Sequence, residues 1–128
     1  MISKNTDLGL LLLRISTGGL MLFHGVSKLI HGISFLVENM GAFGYAVYIG
    51  EVLAPIAILL GFRTRIAAVL LAITCIVAVA TAHSNEIFSI SEHGGYALEL
   101  LGLYFFGALA LFFTGAGKFA VSKNNQWD

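Results

Sequence analysis

The sequence predicts an all-α fold: a four-transmembrane-helix antiparallel bundle with both termini on the cytoplasmic side. Three observations lead there. The 128 residues are 58% hydrophobic and 11% charged, against about 25% charged in an ordinary soluble domain, and the mean hydropathy is +0.90. A water-solvated surface cannot be built from that set. Four apolar runs alternate with short polar or glycine-bearing links. Lysine and arginine are distributed unequally between the two sets of links, with Lys4, Arg63, Arg65, Lys118 and Lys123 on the side of the termini and Lys28 alone on the other. Five against one orients that first side toward the cytoplasm.

The elements follow in order. The first span covers about Leu8 to Leu29, with Thr6 or Asp7 as its cap and Lys28 closing the outer end. Residues 32–39 form a mixed polar and apolar link. The second span runs from about Ala42 to Gly61, roughly 30 Å of helix, which matches a bilayer's hydrocarbon core. Gly61-Phe-Arg-Thr-Arg65 is short enough only for a tight turn between antiparallel helices. Ile66 to Ala82 is the third span; its β-branched residues are tolerated because lipid offers the backbone no alternative to helix. His83 to Gly95 is a polar loop, and Tyr96 to Thr114 is the fourth span, ended by Gly115-Ala-Gly117. The tail from Ser122 to Asp128 is expected to fray. The chain reads as one domain over residues 1–128.

Several function classes drop out. The formal net charge is +0 and no basic tract occurs, so nucleic acid is not a partner. A single cysteine, Cys75, allows neither an intrachain disulfide nor dithiol relay chemistry. Arg14 interrupts the first apolar run and no Ala-x-Ala-like site follows it, so that run is read as a retained helix rather than a signal peptide. Nucleophile triads, phosphate loops and dinucleotide glycine patterns are absent from the sequence. The four histidines fall in the outer half, but no dense ligand spacing such as His-Glu-x-x-His occurs, and none is assigned to a metal.

The ionisable groups within the apolar runs are Arg14, His24, Glu51 and Glu99. A charge at mid-membrane costs roughly 3 kcal/mol on insertion scales, so each should face another helix or a wet cavity. Arg14, Gly18, Met21, Gly25 and Lys28 share one face of the first helix, and Gly44, Tyr48, Glu51, Pro55 and Ile58 share one of the second. On the fourth, Glu99, Gly102, Phe106 and Ala110 do the same, and the three stripes are expected to face one another. Helical side chains lean toward their own N-terminus, which brings His24, Lys28, Glu51 and Glu99 together in the outer half. His24 and Glu99 would lie about 6 Å below the outer boundary and Glu51 about 7 Å deeper. Arg14 leans the other way, toward the cytoplasmic interface, either to snorkel there or to bind helix-end carbonyls; a direct Arg14–Glu51 pair would need an extended arginine. Two readings stay open for this cluster: buried pairs that fix helix register, or a pocket for a small ligand such as a quinone head group.

The chain resembles the DoxX family of small four-helix bacterial membrane proteins. The residues that carry the likeness are Leu11-Leu-Leu-Arg14 with Phe23-His-Gly-Val-Ser-Lys28, Gly50-Glu51, Gly61-Phe-Arg-Thr-Arg-Ile-Ala-Ala68, Glu99 and Gly115-Ala-Gly117. The family pattern after the last helix often reads Gly-Pro-Gly then Ser-Leu-Asp; this chain has Ala116 and then Phe119-Ala-Val-Ser122. The resemblance implies a multi-pass protein of the bacterial inner membrane and a link to redox complexes, including thiosulfate–quinone oxidoreduction. On that reading Glu51, His24, Lys28, Glu99 and Arg14 are the ligand-binding candidates, quinone is the candidate ligand, and no resident cofactor or catalytic residue is assigned. The competing reading is a scaffold, chaperone or permeation subunit whose glycine-lined faces pack against a protein partner or a second copy of the chain.

Overall fold

The computed structural model describes residues 3–128. Among those residues the chain is all-helical, with one isolated bridge between Ile90 and Tyr96 and no strand. Five helices carry it: α1 (Thr6–His31), α2 (Ser34–Ala46), α3 (Ile49–Leu60), α4 (Thr64–Ala82) and α5 (Glu99–Thr114). By length and composition α1 and α4 can each cross a membrane, and α2 with α3 can supply a third crossing if the bent pair is one span. The 16 residues of α5 make about 24 Å of helix, short of a ~30 Å hydrocarbon core.

The cap of α1 is Asn5, whose side-chain oxygen accepts the Leu8 N–H at 3.1 Å, rather than Thr6 or Asp7. Asp7 instead accepts the Lys118 N–H at 2.9 Å and ties the start of α1 to the far end of the chain. Inside α1 a π-turn occupies Ile15–Gly19.

The second apolar run departs most from expectation. Residues expected to link two spans form the helix Ser34–Met40, which passes into a 3-10 segment over Gly41–Ala46. From there the chain turns by 54° into α3, so no straight 20-residue rod exists. Glycines shape the segment that leads into the bend. Gly41 sits at φ 61°, and Gly44 lets its backbone approach Leu36 so closely that a Cβ would stand 2.9 Å from the Leu36 carbonyl carbon. Pro55 adds a second irregularity: it has no N–H for the carbonyl of Glu51, and the preceding residues Ile49–Leu53 widen into a π-turn.

The tight turn is as expected, with Gly61 and Arg63 both in the left-handed region. Gly115, at φ 75°, ends α5. The start of α5 at Glu99 rather than Tyr96 follows from the Ile90–Tyr96 bridge, which holds the preceding residues in the loop.

The core forms from Met21 of α1, Ala54 and Ile58 of α3, residues 67–75 of α4 and residues 104–111 of α5. Alanines at 67, 68, 72 and 108 let α4 and α5 approach closely. The inward stripe of α5 is Leu101, Tyr104, Ala108 and Leu111, whereas Phe106 and Ala110 face outward and nothing lies near Gly102. That corrects the expected Glu99–Gly102–Phe106–Ala110 face. A helix that is apolar all round carries no periodicity to choose a face, and the small-residue stripe chose the wrong one.

The tail does not fray at its end. Val121 and Ser122 donate to the carbonyls of Leu60 and Gly61, and Asp128 bonds Arg63 at 2.9 Å. Arg65 donates to Phe112 O and Gln126 O, both at 2.7 Å. The two turn arginines therefore fasten the tail.

Candidate functional site

Two polar assemblies sit at opposite ends of the core. At one, Arg14 is fully buried, and its guanidinium donates to Ile58 O and Leu59 O at 2.8 Å, Ala116 O at 3.2 Å and Phe119 O at 2.6 Å. The first two are last-turn carbonyls of α3, where the helix dipole favours a cation. Gly61 is held to glycine by this clasp, because a Cβ there would stand 2.7 Å from an Arg14 nitrogen. Arg14 binds helix-end carbonyls, one of its two expected roles. It does not reach Glu51 or line the cavity described next, so its place among the ligand-binding candidates gives way to a structural one.

At the other end the helices part around a cavity of about 700 Å³. α4 and α5 each give one part of their length to the core and another to this space. Residues 21–28 of α1, 70–82 of α4 and 97–104 at and before the start of α5 form the walls, while the bent α2–α3 segment covers one side. The cavity exists because α3 turns away at Ile49 and α5 starts only at Glu99, while α1 and α4 run on.

The polar centre of the wall is an ion pair. Lys28 Nζ meets Glu51 Oε2 at 2.6 Å, with side chains 24% and 10% exposed. Two glycines make it possible. A Cβ on Gly25 would fall 2.0 Å from the carbonyl oxygen of Glu51, and one on Gly50 would fall 1.7 Å from Thr74 Oγ1. Each lets a neighbouring helix touch the π-turn that carries Glu51. Tyr48, one turn before Glu51, donates its hydroxyl to Lys28 O at 3.1 Å and secures the end of α1. Only one oxygen of Glu51 is engaged by Lys28, and Lys28 retains further N–H groups.

His24 lines the same cavity and packs edge-on against Tyr104, with centroids 6.1 Å apart and planes at 89°. Glu99 does not join them: it is exposed at the start of α5, outside the cavity wall. The four-residue convergence therefore reduces to Lys28, Glu51 and His24. Sequence reasoning missed Tyr104. His83 and Glu86 hydrogen-bond each other at 2.6 Å on the rim. Tyr104 sits in an apolar stretch of α5 where nothing in the pattern distinguishes it from its phenylalanine neighbours. Much of the rim is apolar and open, with Phe35, Phe43, Ile49, Ile73 and Leu100 all substantially exposed while lining the space. Such an arrangement can hold an amphiphile, its polar end at the buried pair and its apolar body at the mouth.

A family model described as DoxX matches residues 9–84, more than half of the chain. The chain is also 31% identical over 108 residues, 80% of each chain, to a Bacillus subtilis (strain 168) protein named "Putative oxidoreductase CatD". No solved structure matches it significantly.

Proposed function

This chain belongs to the DoxX family, and from that premise we propose that it is a redox-linked subunit of the bacterial inner membrane whose cavity binds the head group of a quinone. In this reading the chain crosses the bilayer four times with both termini cytoplasmic, and the cavity lies in the outer leaflet. One observation carries the proposal: a largely buried Lys28–Glu51 pair on the wall of an otherwise mostly apolar cavity of about 700 Å³ with an apolar mouth. Volume and lining are those of a site for a lipid-soluble molecule with a compact polar end. The oxidoreductase name of the Bacillus relative supports a redox association.

The division of labour follows from the groups present. Lys28 offers donors to a head-group oxygen, and the second oxygen of Glu51 accepts a proton or a ligand hydroxyl. With one cysteine the chain has no dithiol couple of its own, so electrons would come from a partner protein. The scaffold reading rested on glycine-lined faces; Gly18, Gly25, Gly44 and Gly50 are consumed by contacts within the chain.

Titrating the protein in lipid nanodiscs with a short-chain quinone tests the proposal. Saturable binding is expected, weakened roughly tenfold or more by Glu51→Gln or Lys28→Met, since each removes a charged partner for the head group and such a hydrogen bond is worth about 1.5 kcal/mol or more. No saturable binding by the folded wild-type protein would refute it.

A further inference from the structure

The four tyrosines of the chain divide cleanly by what their hydroxyls do. Tyr48 donates to Lys28 O and Tyr96 to Ile87 O. Tyr45 is 58% exposed and lies outside the cavity wall. Tyr104 differs from all three. It is 7% exposed, belongs to the core, lines the cavity, and its hydroxyl has no hydrogen-bond partner among the described residues.

A buried phenol ordinarily finds a partner, because an unmet hydroxyl forfeits the hydrogen bonds it made to water. The Tyr104 hydroxyl is not sealed in: among the described residues Thr64 Oγ1 is the one side-chain polar atom that is both wholly enclosed and unpartnered. What little surface Tyr104 keeps therefore includes its oxygen, and the residue lines the cavity. The ring is fixed by the core on one side and by the edge-on contact with His24. A rigid, unspent donor from α5 thus shares a cavity with the ion pair supplied by α1 and α3.

We propose that Tyr104 is the second anchor for the head group, donating its hydroxyl to a ligand oxygen other than the one held at Lys28–Glu51. This rests on the quinone-site reading and specifies it. The occupant must present at least two oxygens on one compact head, which favours a two-oxygen ring over an ether or a single alcohol. A lipid-soluble molecule with one polar atom would leave either the pair or the phenol unmet.

The test compares wild type, Tyr104→Phe and Tyr45→Phe in nanodiscs with the same short-chain quinone, reading affinity together with the infrared carbonyl bands of the bound ring. Phenylalanine keeps the ring, the core packing and the His24 contact. Expected results are a roughly three- to tenfold loss of affinity in Tyr104→Phe and a carbonyl band moved back toward its free frequency, with Tyr45→Phe unchanged. Equal affinity and an unmoved band in a folded Tyr104→Phe would overturn the anchor while leaving the quinone site standing. Absence of binding by wild type would overturn both. Should Tyr104→Phe fail to fold, wild type and Tyr45→Phe decide: quinone addition should shift a tyrosine C–O band in both, and no shift would overturn the anchor.

Discussion

Gly25 is the residue on which the site's geometry depends most directly, and replacing it with alanine should break the contact between α1 and α3. A Cβ at Gly25 would lie 2.0 Å from the Glu51 carbonyl oxygen, 2.6 Å from its carbon and 2.7 Å from Val52 Cγ2. Ordinary contact begins near 3.4 Å, so the two backbones must separate by about 1.4 Å. The obstacle is main chain in a π-turn, which no rotamer change relieves. Overpacking costs about 1–3 kcal/mol in a well-packed core, and the upper end applies where backbone meets backbone. A displacement of that size shifts a domain of this length by about 5–15 °C in unfolding temperature. Thermal unfolding of the detergent-solubilised protein, followed by tryptophan fluorescence or light scattering, measures it. Gly102→Ala, where nothing lies within 4 Å of the added methyl, is the matched control and should unfold with wild type. Gly25→Ala unfolding within 1 °C of Gly102→Ala, on the order of 0.2 kcal/mol, would refute the close approach and the placement of Lys28 beside Glu51 that depends on it.

Other outcomes follow from the same contacts. Gly50→Ala should destabilise by about 1–3 kcal/mol, but its main obstacle is the Thr74 side chain, so Thr74→Ala should restore much of the loss in a double-mutant cycle, as Val52→Ala could not for Gly25→Ala. Arg14→Met strands four carbonyls around a buried position and should cost at least about 3 kcal/mol in the same unfolding assay; Arg14→Lys keeps the charge, loses the fork, and should fall between. Hydrogen bonds from Ser122, Asn125 and Arg63 hold the Asp128 carboxyl down to about 2, below its ordinary 3.8. A depressed carboxyl stabilises the docked tail above its ordinary value and loses that contribution as pH falls toward 2. Trp127 fluorescence should therefore change between about pH 4 and pH 2 in wild type, and Asp128→Asn should show the undocked signal already at neutral pH.

How much of the site was legible depended on whether a feature was local. The glycine faces of α1, the Lys28–Glu51 neighbourhood and the carbonyl-binding role of Arg14 follow from helical spacing, side-chain lean and the cost of a charge in lipid. Glu99 was misplaced because its helix starts three residues late, which puts its carboxylate at an exposed end rather than one turn inside. Tyr104 was invisible because α5 is apolar on every face, so that periodicity cannot say which aromatic turns inward. The docked tail was missed for a related reason: its partners, Arg63 and Leu60, are more than fifty residues away in the chain.

Composition and apolar run length alone determined the helical class and the membrane setting, because lipid admits few ways to satisfy a backbone and few places for a charge; the family came through the motif residues, such as Phe23-His-Gly-Val-Ser-Lys28 and the Gly61–Ala68 run. Tertiary structure alone decided that the second run bends between Ala46 and Ile49, that the bend and the late start of α5 leave a cavity, and which wall residues keep hydrogen bonds unspent. Those depend on where α1 and α4 outrun their neighbours, and a gap between helices is a property of their assembly that no single helix encodes.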